Sequence, residues 1–87
     1  MTAWRVRQST DRPLKLFVHA LDKSGQIVGQ WDGLDVDPLS WRAGDVFVQW
    51  HEIALPEAAR PIEISIGVYD GITLDRLGEP VSFRLDE

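Results

Sequence analysis

The sequence predicts an all-β domain: a two-layer antiparallel β-sandwich, immunoglobulin-like or jelly-roll-like, with an open barrel as the alternative. Three observations predict it. Apolar and polar residues alternate with a period of two in several short runs, the pattern of strands with one buried face. Turn signals rich in Gly, Asp and Pro separate those runs. No stretch longer than one turn has helical character; the only helix-like string is Glu57-Ala58-Ala59-Arg60, behind Pro56.

Taken in order, Ala3 to Arg7 is a candidate first strand. Leu14 to Asp22 is the second, with Leu16, Val18 and Ala20 on one face and Phe17, His19 and Leu21 on the other. Both faces are largely apolar, which predicts a central strand packed on each side. Asp22-Lys23-Ser24-Gly25 then forms a tight hairpin, with Gly25 supplying a positive φ, and Gln26 to Trp31 returns as a strand. Asp32 to Gly44 is a loop containing Trp41. Val46 to Leu55 is a long strand, with Val46, Val48 and Trp50 facing the core and Phe47, Gln49, His51 and Ile53 opposite. Pro56 to Pro61 connects it to the clearest strand, Ile62 to Tyr69, where Ile62, Ile64, Ile66 and Val68 share one face. An excursion from Asp70-Gly71 to Glu79-Pro80 precedes the last strand, Val81 to Leu85.

Eighty-seven residues make one domain, 1–87. A chain of this size buries only about 64% of its open surface, so the core is thin, and the four tryptophans can supply much of it. Trp4 and Trp50 are expected there. With 9 Lys and Arg against 14 Asp and Glu the charge is -5, which disfavours nucleic acid and anionic lipid as partners. The absence of cysteine excludes disulfides, a thiolate zinc site and a cysteine nucleophile. Met1 to Arg7 carries no signal-peptide pattern, and no apolar run approaches the ~20 residues that span a bilayer, so no direct membrane insertion is expected and the isolated chain is expected to be soluble.

Catalytic patterns are missing. Ser9, Ser24, Ser40, Ser65 and Ser82 lack a nucleophile-elbow context, and carboxylate pairs such as Glu52 with Glu63 come with no sign of a cleft. His19 and His51 lack a third metal ligand at a suitable spacing and are expected to be packed and hydrogen-bonded to backbone. Asp32, Asp35 and Asp37 cluster in the long loop, but their spacing is not an EF-hand, and solvated turn residues are the default. No cofactor is expected. Trp31 at a strand end and Trp41 in a loop are the aromatics best placed to be exposed, so with Asp32 they are the candidate carbohydrate-contacting residues.

Several strings occur in order: Leu16-Phe17-Val18-His19-Ala20-Leu21-Asp22, Gln30-Trp31-Asp32-Gly33, Trp41-Arg42-Ala43-Gly44-Asp45, Ile66-Gly67-Val68-Tyr69-Asp70 and Arg76-Leu77. Together they resemble the soluble C-terminal β-sandwich domain of bacterial membrane glycosyltransferases of the protein-mannosyltransferase-like class, over roughly Trp4 to Val81. Ala43 stands where that family often has proline, the loop before Trp41 is shorter, and the upstream strands that begin the family's sandwich have no counterpart. The resemblance implies a non-catalytic accessory domain, part of a larger membrane protein, on the extracytoplasmic face. It would contact glycan or acceptor, or orient the membrane portion of the parent. The alternative is a structural or self-associating sandwich without a ligand, forming a homodimer through an open sheet edge.

Overall fold

The computed structural model of the chain describes residues 1–34 and 36–85. Among the described residues six strands form in order: β1 (Thr2–Arg5), β2 (Leu14–Leu21), β3 (Ile27–Gly33), β4 (Val46–Gln49), β5 (Glu63–Asp70) and β6 (Arg76–Arg84). They build two antiparallel sheets, one of four strands in the order β3-β2-β5-β6 and one of β1 with β4. The architecture is all-β and sandwich-like.

Register fixes which residues share a face. Leu16 lies opposite Gly33 and Val68, Val18 opposite Trp31 and Ile66, and Ala20 opposite Gly29 and Ile64. These residues form the inner face of the large sheet, and Leu14, Leu16, Val18 and Ala20 are all buried there. Burying each large aliphatic side chain contributes about 1.5–3 kcal/mol, so β2 is the centre of the core. The small sheet supplies Trp4, Phe47 and Gln49, with Trp4 directly across from Phe47. Val6, just past β1, is buried with them. Beyond β4, Ile53 and Leu55 close over Gly29, where a Cβ would fall 2.6 Å from Ile53 Cγ2.

The β2–β3 hairpin forms as its turn residues predict. Asp22 Oδ1 accepts from the Ser24 amide at 2.9 Å, the Ser24 hydroxyl at 2.6 Å and the Gln26 amide at 3.0 Å. Gly25 takes φ 83°. Two residues beyond the expected strand end, Asp32 and Gly33, also join β3. Past it, Asp37 caps a 3₁₀ turn over Pro38–Ser40, accepting from the Leu39 amide at 3.0 Å. Asp35 lies outside the described residues.

Two expectations are overturned. Val46 to Leu55 is not one long strand, because β4 ends at Gln49, where its partner β1 runs out at Thr2. Its facing is also reversed: Trp50 is 70% exposed, with Val46 and Val48 beside it in solvent, while Phe47 and Gln49 turn inward. A strand has one inward parity, and here the winning set places Phe47 between Trp4 and Trp41. The second correction is β6, which begins at Arg76 rather than Val81. Gly78 (φ 70°) and Pro80 look like strand breakers, but β6 is an edge strand, where a missing N–H is tolerated. A register irregularity opposite Ile66 to Val68 absorbs the distortion.

Exposed apolar side chains are numerous: Val46, Val48 and Trp50 on the outer face of the small sheet, Val81 and Phe83 on β6. Val81 and Phe83 lie opposite Ile66 and Ile64 on the inner face and remain exposed there. Accessible surface reaches 6362 Å², against roughly 5,200 Å² for a compact chain of this mass.

Candidate functional site

Two concave sites lie on opposite faces of the large sheet. The larger is an inter-sheet cleft of about 440 Å³. One wall is aromatic. Trp4 stacks on Phe47 with ring centroids 6.5 Å apart and planes 11° apart, and Trp41 stacks on the same Phe47 at 5.1 Å and 21°. The other wall is aliphatic, from Leu14, Leu16, Val68 and Leu77. Arg12 also lines the cleft. Arg12 is tethered there, its Nε donating to Asp70 Oδ2 at 3.0 Å.

Asp70 orders more than Arg12. Its Oδ1 accepts from the amides of Ile72 (2.8 Å) and Thr73 (3.0 Å), which shapes the β5–β6 turn. Those backbone bonds, and after them the Arg12 contact, hold its carboxyl below the usual 3.8. On the aromatic side, Trp4 Nε1 donates to Thr2 Oγ1 at 2.6 Å, and the same hydroxyl shares a 2.7 Å hydrogen bond with His51 Nε2. Trp41 Nε1 is shut away from solvent and finds no acceptor among the described residues.

The three carbohydrate candidates are not brought together. Trp41 is half-buried in the cleft wall. Trp31 is half-buried on the inner face, its ring laid back along its own strand over Gly33 and its edge against His51 at 4.5 Å. Asp32 is exposed on the opposite face, since successive strand residues point to opposite sides.

Asp32 belongs instead to the second concavity, of about 150 Å³, on the outer face of the large sheet. All four strands contribute: Phe17 and His19 from β2, Asp32 from β3, Tyr69 from β5 and Arg76 from β6, with Leu74 of the turn at the rim. Phe17 is the floor, only 3% exposed, and lies opposite Gly67. A Cβ on Gly67 would fall 2.5 Å from Phe17 Cζ, so glycine is what lets the ring lie down across the neighbouring strand. His19 packs on Phe17 at 4.7 Å, Tyr69 at 6.4 Å, and the Arg76 guanidinium sits 4.6 Å above the ring centroid. Burial pushes His19 below its ordinary 6.5, with Asp32 partly restoring it and Arg76 lowering it further. Burial, then a hydrogen bond to Asp32, pushes the Tyr69 phenol above 10.0.

Period-two patterning groups Phe17 with His19 on one face but is silent about partners on other strands. The available signal was the strings themselves, because Phe17, His19, Asp32, Gly67, Tyr69 and Arg76 each fall within one of them. Among the described residues, no group of three His, Cys, Asp or Glu side chains is placed to hold a metal ion, and no helix is long and apolar enough to cross a membrane. No family model, curated protein or solved structure matches the chain.

Proposed function

We propose that the chain is a non-catalytic accessory module of a membrane-bound glycosyltransferase, placed on the extracytoplasmic side, and that it contacts glycan or acceptor in the inter-sheet cleft. The observation that carries this reading is the aromatic wall: three rings, Trp4, Phe47 and Trp41, stacked in a row beside about 440 Å³ of open space. Sugar rings pack their C–H faces on such surfaces, and the Arg12 guanidinium supplies donors for hydroxyl or acidic groups. The sequence strings that resemble the glycosyltransferase accessory domain support the same reading. Its test is a titration of neutral and acidic oligosaccharides followed by tryptophan fluorescence. Saturable quenching that disappears in Trp41→Ala and persists in Trp31→Ala supports the cleft. The absence of any response sinks it.

A second reading, a self-associating structural sandwich, is favoured by the apolar stripe Val46, Val48 and Trp50 on the outer face of the small sheet. That stripe is on a different surface from the cleft, so sedimentation and sugar titration separate the two.

A further inference from the structure

We propose that the outer face of the four-stranded sheet carries a shallow binding site for a neutral, hydroxyl-rich ligand the size of one sugar ring, held by Asp32, Tyr69 and Arg76 above the Phe17 floor. The proposal deepens the carbohydrate reading but rests on a different site, on the other side of the sheet from the cleft.

The charge pattern selects the ligand class. Asp32 brings one negative charge and Arg76 one positive, while the Tyr69 phenol is neutral and His19 is biased toward its neutral form. The sum is zero. Phosphate or a carboxylate would meet Asp32, and a cation would meet Arg76. A polyol suits both, because each hydroxyl donates one hydrogen bond and accepts others. Asp32 and Arg76 line the same concavity yet form no ion pair with each other or with any other described residue. Oppositely charged groups held apart across a small hollow are ready to be bridged by a ligand carrying donors and acceptors on adjacent carbons.

The geometry is built rather than incidental. Arg76 is located by Phe17, and Phe17 by the missing Cβ of Gly67, so the guanidinium sits over a fixed floor. At the rim, Leu74 holds φ 66°, a left-handed conformation that a residue with a Cβ adopts at a cost. It leaves the leucine side chain 69% exposed beside the hollow, an apolar wall for the C–H edge of a ring. The volume, about 150 Å³, equals the liquid share of roughly five waters, which fits a single ring and not a chain of them.

The test is an amide NMR titration of the full chain with methyl glucoside, methyl mannoside and methyl galactoside, with inorganic phosphate as the anion probe. At least one glycoside is expected to produce saturable shifts around residues 17–19, 31–33, 67–69 and 74–76. Asp32→Asn and Arg76→Gln are each expected to weaken that binding by about 10-fold or more, and Tyr69→Phe by less. If one variant loses its dispersed spectrum, the remaining two still decide the matter, since the Tyr69→Phe ring fills the same space. The proposal is overturned if no glycoside shifts these amides at about 100 mM, a concentration that would reveal even very weak binding. It is equally overturned if phosphate binds there and the glycosides do not. Shifts confined to the Trp41 cleft would sink this site and spare the cleft; shifts confined to the outer face would do the reverse.

Discussion

The side chain with the least room to change is one that is absent. Gly67→Ala forces a methyl group against the Phe17 ring, which Arg76 closes from above. Overpacking of this kind costs about 1–3 kcal/mol. We expect urea unfolding to show a loss of that size in the parent chain, and Gly67→Ala to add little further loss in a Phe17→Ala background, because the two changes share one contact. Additive losses would place the strain elsewhere. Titration is a second handle at this scale. His19 has a lowered folded-state pKa, so the unfolded chain binds its proton more readily, and stability falls as pH drops below 6.5. Asp22 and Asp70 are also lowered; their contribution is full above 3.8 and is lost as pH falls further. Tyr69 is raised, so its contribution disappears as pH climbs beyond 10.0. Unfolding midpoints are therefore expected to decline from neutral pH in both directions, and His19→Gln should flatten the first acid step. The site behind these residues was only half legible in the sequence. Asp32 could be named as a candidate, but its partners lie on three other strands, and pairing between strands is a non-local fact that spacing along the chain does not encode.

Among the elements, β2 and β5 were read nearly to the residue, because clean alternation and strong turn signals agree there. The β2–β3 turn was equally legible, since Asp22 and Gly25 act locally. β4 was not, and the reason is physical: one face carries Val46 and Val48 and the other pairs Phe47 with the polar Gln49, so alternation points the valines inward although they stand outside. Tertiary packing against Trp4 and Trp41 decides it. The reversed facing predicts opposite outcomes for two neighbouring aromatic positions. Phe47→Ala, which removes a half-buried ring stacked between Trp4 and Trp41, is expected to cost about 1.5–3 kcal/mol, whereas Trp50→Ser should stay within about 0.5 kcal/mol, as surface changes do. Comparable losses in equilibrium unfolding would restore Trp50 to the core. The β5–β6 turn makes a similar demand on Asp70, which anchors two amides and Arg12 with one carboxylate. Asp70→Ala is expected to lower the unfolding midpoint and to broaden the amide signals of residues 71–75. Arg12→Ala, which removes only the tether of a partly exposed guanidinium, should leave those signals sharp.

At the scale of the whole molecule, the chain is more open than its length requires. Its radius of gyration is 13.9 Å, where about 12 Å is expected for a compact domain of this length. Its accessible surface exceeds the compact value by roughly 1,100 Å². A standard protein interface removes about 800 Å² from each partner, so the excess is large enough to be one half of such a contact. Edge pairing through β6 is discouraged by Pro80, which offers no N–H, and by the positive φ at Gly78, which interrupts the extended backbone. The outer face of β1–β4 has no such protection, and there Val46, Val48 and Trp50 stand in a row at alternate positions. Self-association is therefore expected through that face and not through the β6 edge. Sedimentation velocity over a range of concentrations should show a reversible dimer in the parent chain. A Val48→Thr, Trp50→Ser double variant should remain monomeric at the same concentrations while unfolding at nearly the same denaturant midpoint. A parent chain that stays monomeric at all concentrations would remove the self-associating reading and leave that apolar face to a different partner. A dimer that survives the double variant would put the contact elsewhere, with the uncovered Val81 and Phe83 region of β6 the next surface to alter.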